Sequence, residues 1–133
     1  MSPDDAASPT EVLDWYLTAT ELLDDGDAGA AVPLLGRAVA AEPHTRALRQ
    51  ALAHAQLQAQ MYDGAADSFA HLVALDPADA DSQYGLGMAN RNLGRHDLAV
   101  EALSRAVALR PDLKHYADAL QRVRSGAHGG APQ

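Results

Sequence analysis

Three prolines, at 43, 77 and 111, stand 34 residues apart, and each closes the same phrase. The phrases are Val39-Ala40-Ala41-Glu42-Pro43, Val73-Ala74-Leu75-Asp76-Pro77 and Val107-Ala108-Leu109-Arg110-Pro111. A fixed period of this length marks stacked helical hairpins, none of which can bury its apolar face alone. Shifting the sequence by 34 aligns further columns. Ala31, Ala65 and Ala99 coincide, as do Leu35, Phe69 and Leu103, and a small residue recurs at Ala19, Ala53 and Gly87. A turn residue falls mid-unit at Gly26 and Gly94, with Gln60 in that place in the second unit.

Each unit therefore reads helix, short turn, helix, Pro-marked turn. The first helices are predicted over about 10–25, 45–59 and 79–93, and the second over about 28–41, 62–75 and 96–109. Leu98, Ala99, Ala102, Leu103, Ala106 and Val107 have the 3-4 apolar spacing of an amphipathic helix. Pro111 has no N–H and biases Arg110 away from helical dihedrals, so the preceding helix stops there. Ser8-Pro9-Thr10-Glu11 has the form of a capping box, and Asp27 is the expected N-cap of the next helix. Within 28–36, Pro33 removes a helix hydrogen bond, and Gly29 and Gly36 each cost about 1 kcal/mol relative to Ala. A kink or late start is expected there, in the loosest unit. A last helix, about 112–124, sets Leu113, Ala117, Leu120 and Val123 on one face and charges elsewhere. The domain is expected over 8–124, with repeats at about 12–45, 46–79 and 80–113 and the cap helix at 112–124. Residues 1–7 and 125–133 are expected to be disordered tails.

Composition narrows the function. The 133 residues carry a net charge of −8, with only ten Lys and Arg, which argues against a nucleic-acid partner. With no cysteine, disulfides and thiolate metal sites are excluded, in keeping with a cytoplasmic location. No stretch is apolar enough for a membrane span, and the N-terminus lacks the form of a signal peptide. The Ala- and Arg-rich, Lys-poor usage suggests a GC-rich bacterial source. Charge is uneven along the chain. Residues 1–43 hold nine acids and one base, Arg37, whereas the last helix is mildly basic.

These columns resemble the tetratricopeptide repeat (TPR) family. The third unit matches it through Leu86-Gly87, Gly94, Ala99, Leu103, Ala106 and Pro111, and the second through Leu52-Ala53, Tyr62, Ala65, Phe69 and Pro77. The first keeps Trp15, Ala19, Gly26, Ala31, Leu35 and Pro43, with Thr18 where Leu is expected. The resemblance implies an all-α, right-handed solenoid of three helix-turn-helix units, seven helices with the cap. It also implies a concave groove lined by the first helices, which takes a peptide or helix of another protein. Nothing in such a fold is catalytic by itself, so no enzyme activity and no cofactor are expected.

Helical geometry directs one set of side chains to that groove: Leu13, Tyr16, Thr20 and Leu23; Gln50, His54 and Leu57, with Ala47; and Asp81, Tyr84, Met88 and Arg91. Rings and thioethers offer adaptable contact area, and His54 would make binding pH-sensitive. Some TPR modules grip acidic chaperone tails with a carboxylate clamp. The corresponding places here are Tyr16, Thr20, Ala51, Asp81 and Gly85, none of which attracts a carboxylate. A heat-shock co-chaperone role is therefore not expected. The histidines at 44, 54, 71, 96, 115 and 128 form no i,i+4 pair, so no metal site is predicted, and His71 and His115 are read as facing water. Gly85-Leu86-Gly87 lacks the preceding strand of a dinucleotide loop.

The leading expectation is an adaptor or chaperone with a protein partner, a monomer or weak homo-oligomer. The run Ser82-Gln83-Tyr84-Gly85-Leu86-Gly87, with Gly94 and Asp97-Leu98-Ala99, also looks like the repeats of type III secretion translocator chaperones. A structural alternative is self-assembly, acidic end to basic end.

Overall fold

The computed structural model describes residues 6–129, and side chains as far as 126. Those residues form seven helices: α1 (Pro9–Asp24), α2 (Ala28–Ala41), α3 (Arg46–Gln58), α4 (Tyr62–Leu75), α5 (Ala80–Asn92), α6 (His96–Leu109) and α7 (Lys114–Gly129). The chain is an all-α helical repeat, and the described residues include no strand.

The 34-residue period is written into the backbone hydrogen bonds. α1, α3 and α5 all end in the same turn. The N–H groups of Gly26, Gln60 and Gly94 donate to the carbonyls of Leu23, Leu57 and Arg91, each at 3.1 Å. The next N–H groups, of Asp27, Met61 and Arg95, reach back to Leu22, Gln56 and Asn90 at 2.7, 2.8 and 2.9 Å. This is a Schellman closure, and it needs a left-handed residue. Gly26 and Gly94 take φ of 83° and 75°, while Gln60 takes 63° despite its side chain. α2, α4 and α6 end alike as well: Glu42, Asp76 and Arg110 donate to Ala38, Leu72 and Ala106 at 2.9 Å each, and the prolines follow.

The chain divides into two compact units, meeting in sequence after Met61, inside the expected second repeat. In the first, α2 packs on both α1 and α3, and α1 touches α3. Its core holds Val12, Ala19, Ala31, Leu35, Ala38 and Leu48, with Ala7, Trp15 and Tyr16 packed against it. Arg37 lies over the Trp15 ring, 6.0 Å from its centroid. The capping box forms as expected: Glu11 N–H donates to Ser8 Oγ at 3.1 Å and Ser8 N–H to Glu11 Oε1 at 3.3 Å.

In the second unit, α4 packs on α5, α5 on α6, and α6 on α7, and α5 also touches α7. Phe69, Leu72 and Leu103 are fully buried. Two glycines make the close approaches possible. A Cβ at Gly85 would overlap the Phe69 ring, and one at Gly87 would lie 2.6 Å from Leu103 Cγ. α5 is anchored by Asp79, which accepts from Ser82 N–H at 3.1 Å and from Ser82 Oγ–H at 2.6 Å. Buried Gln83 donates from Nε2 to the Pro77 carbonyl at 3.1 Å, tying helix to turn.

Three expectations need correction. α2 does not start late: Asp27 Oδ1 accepts from Ala30 N–H at 3.2 Å, and the helix runs through Pro33. The cap fixes the first turn, and burial of Leu35, Ala38 and Val39 beyond the proline offsets the missing donor. Ala7 is not a free tail residue, since its methyl is partly buried against the first core. α7 continues to Gly129 rather than stopping at Arg124. A lone Gly126 costs too little to end a helix already docked on α6, and the first glycine pair after Arg124 is Gly129-Gly130, where α7 ends. The expected tail residues 1–5 and 130–133 lie outside the described residues.

Candidate functional site

The first unit places Leu13 and Tyr16 on α1 opposite Ala47 and Leu48 on α3. Between them is a mainly apolar hollow of about 280 Å3, completed by Pro9, Val12, Glu42 and Thr45. Leu13 is 53 % exposed at its rim. Tyr16 and Leu23 are half-buried, with their inner sides against the core. Thr20 is exposed, and its hydroxyl donates to the Tyr16 carbonyl at 2.8 Å. On α3, Gln50, His54 and Leu57 are all half-buried. Helical spacing thus brings Leu13, Tyr16 and Ala47 to one hollow.

The second unit carries Asp81, Tyr84, Met88 and Arg91 on α5. Asp81 and Arg91 are exposed, one at each end of the row, and Tyr84 and Met88 are half-buried. Tyr84 is not a lone ring on an open face. It stacks on Tyr116 of α7, centroids 4.6 Å apart and planes 18° apart, and meets His115 edge-on at 5.4 Å. His115 is exposed, yet its ring also rests 4.6 Å from Tyr116. Burial pushes the Tyr116 phenol above its ordinary range, reinforced by the charge of Asp81. Beside them Arg110 grips Asp112 with two hydrogen bonds, 2.9 and 2.8 Å, which hold the Asp112 carboxyl below its usual range.

Tyr116 was missed in the sequence, and His115 read only as facing water, because α7 reads there as a generic cap. Shifting α5 by 34 residues gives 114–126, so α7 is the first helix of a fourth repeat. That shift pairs buried Ser82 with buried Tyr116 and was the signal available.

The clamp comparison also changes. Gly85 faces the Phe69 ring and Ala51 packs against the first core, so those two places are not groove positions. Of the clamp counterparts only Tyr16, Thr20 and Asp81 remain, and none of them attracts a carboxylate. Most of the run over 82–87 is likewise used inside the fold: Ser82 donates to the N-cap Asp79, Gln83 holds the turn, and Gly85 and Gly87 admit Phe69 and Leu103. It carries no information about a secreted cargo. Among the described residues no group of three or more His, Asp or Glu is placed to hold a metal ion. No described helix is long and apolar enough to cross a membrane.

The architecture is shared with known proteins. The chain superposes on the second TPR domain of human RPAP3, solved in complex with an HSP70 peptide. The TM-score is 0.78 at 20% identity, over 86% of this chain and 96% of that one. It also superposes on YrrB, a TPR protein with an unusual peptide-binding site, with a TM-score of 0.75 at 26% identity, covering 80% of this chain and 55% of that one. In sequence it is 35% identical over 99 residues to human general transcription factor 3C polypeptide 3. The match takes in 72% of this chain but only 11% of that much longer protein. Two family models described as tetratricopeptide repeat match residues 22–74 and 50–114. With its backbone period, its helix order and these matches, the chain belongs to the tetratricopeptide repeat proteins.

Proposed function

We propose that this chain is a protein-interaction module, an adaptor or chaperone of the cytoplasm, which binds a peptide or helix of a partner protein and performs no chemistry itself. Each unit carries its own set of binding residues: Leu13, Tyr16, Thr20, Leu23, Gln50, His54 and Leu57 in the first, and Asp81, Tyr84, Met88 and Arg91 in the second. The observation that carries this reading is the hollow between α1 and α3. It is open, mainly apolar and edged by a tyrosine and an exposed leucine. An aromatic anchor beside apolar contact area is the usual centre of a protein-binding surface. The peptide-bound RPAP3 domain and the peptide site of YrrB support the same use of this fold. The Tyr84–Tyr116 stack gives the second unit a preformed ring surface, with Asp81 and Arg91 to fix the direction of a bound segment.

A phage-displayed random peptide library, panned on the purified chain, tests this. The expected result is a family of related apolar peptides whose affinity falls at least about tenfold on Leu13→Asp, with the circular dichroism melt unchanged. Peptides that bind Leu13→Asp and Met88→Asp as tightly as the wild type, or no enriched family at all, would overturn the assignment.

A further inference from the structure

The exposed side of α1 does not match the rest of the array. Leu17 is 50 % exposed, and Asp14 and Glu21 flank it in the open. The residues 34, 68 and 102 positions after Glu21 are Ala55, Ala89 and Val123, and all three are buried. The later counterparts of Leu17 tell the same story: Gly85 lies under the Phe69 ring and Ala119 is buried. In the later first helices this column is packed against protein, Ala51 in part, whereas among the described residues nothing covers the matching face of α1.

The other end has an open face of its own. α7 repeats α5, and on α5 the Gly87 position receives Leu103 of the following helix. At the matching place on α7, Gln121, Arg124 and Ser125 are exposed around a hollow of about 480 Å3 floored by Leu120 and Ala117. α1 carries Glu11, Asp14, Glu21 and Asp24 and no base, whereas exposed Arg122 and Arg124 lie on α7. Among the described residues, Asp14, Glu21, Arg122 and Arg124 take part in no ion pair.

We propose that the α1 face of one copy docks on the α7 hollow of a second copy, Leu17 entering the hollow and Asp14 and Glu21 facing Arg122 and Arg124. The contact joins two different surfaces, so it propagates head to tail, into an open chain or a closed ring. It uses other side chains than the peptide-binding face, so either reading can fail without the other.

Sedimentation equilibrium of the full chain across a concentration series tests this at about 50 mM and about 500 mM salt. The average mass is expected to rise with concentration at low salt and to return to the monomer at high salt. The double variants Asp14→Lys/Glu21→Lys and Arg122→Glu/Arg124→Glu should each associate at least about tenfold more weakly alone. Mixed one to one they should associate again, because each reversed face now meets its opposite. A monomer under all conditions, growth indifferent to salt, or a mixture no better than its parts would overturn the proposal. The recovery on mixing separates a lost contact from a damaged fold.

Discussion

Glycine does opposite work in the two units. In α2, Gly29 and Gly36 leave room around them: a methyl at either would meet nothing within 4 Å. In α5, Gly85 and Gly87 are the only residues that admit Phe69 and Leu103 from the neighbouring helices. The same residue type is thus a backbone cost in one unit and a packing requirement in the other. Pro33 adds to the first unit's burden by removing a helix donor, and Gln60 by holding a left-handed turn with a side chain. The first unit carries local irregularities that contacts must offset, while the second spends its irregularities on contacts.

Substitutions break or sharpen this contrast. The largest effect is expected from Gly85→Ala, which forces a methyl into the Phe69 ring and should destabilise by about 3 kcal/mol in urea unfolding. A loss below about 0.5 kcal/mol would mean that α4 and α5 part at no cost and that the contrast is false. Next, Pro33→Ala restores a donor to exposed helix and should stabilise by about 2 kcal/mol, read by the same titration. Gly36→Ala should add about 1 kcal/mol, with faster hydrogen exchange in α2 of the parent than of the variant. The smallest gain, about 0.5 kcal/mol, is expected from Gln60→Gly, which relieves the left-handed turn but frees the unfolded chain. A stabilising Gly85→Ala or a destabilising Gly36→Ala would reverse the roles assigned to the two units.

Most of the fold was legible because the repeat averages over local noise. The ends of α2, α4 and α6 fall at 41, 75 and 109, as the proline column places them. Gln60 has no turn propensity to recommend it, yet register with Gly26 and Gly94 identified its place. Single-copy features were harder to read. Pro33 argued locally for a broken start to α2, but a side-chain cap and burial of Leu35 and Ala38 hold the helix together. The far end of α7 was punctuated in the sequence by Gly129-Gly130, a signal passed over because 125–133 has no apolar periodicity. The candidate site was legible as a list of positions along α1, α3 and α5, not as an environment. Whether Tyr84 stands alone or stacked depends on Tyr116, which is 32 residues away and outside the three copies first aligned.

The identical closures at 26, 60 and 94, and the matching entries at Thr45, Asp79 and Leu113, have an engineering consequence. The turns repeat the same hydrogen bonds, so one copy can be cut out and rejoined at equivalent turns. Duplicating residues 80–113 in tandem should lengthen the protein by one copy, the added α5 meeting α6 with Leu103 in the place that Phe69 takes against the original. Length in this architecture is a matter of gene copying, with the ends rather than the middle deciding when growth stops.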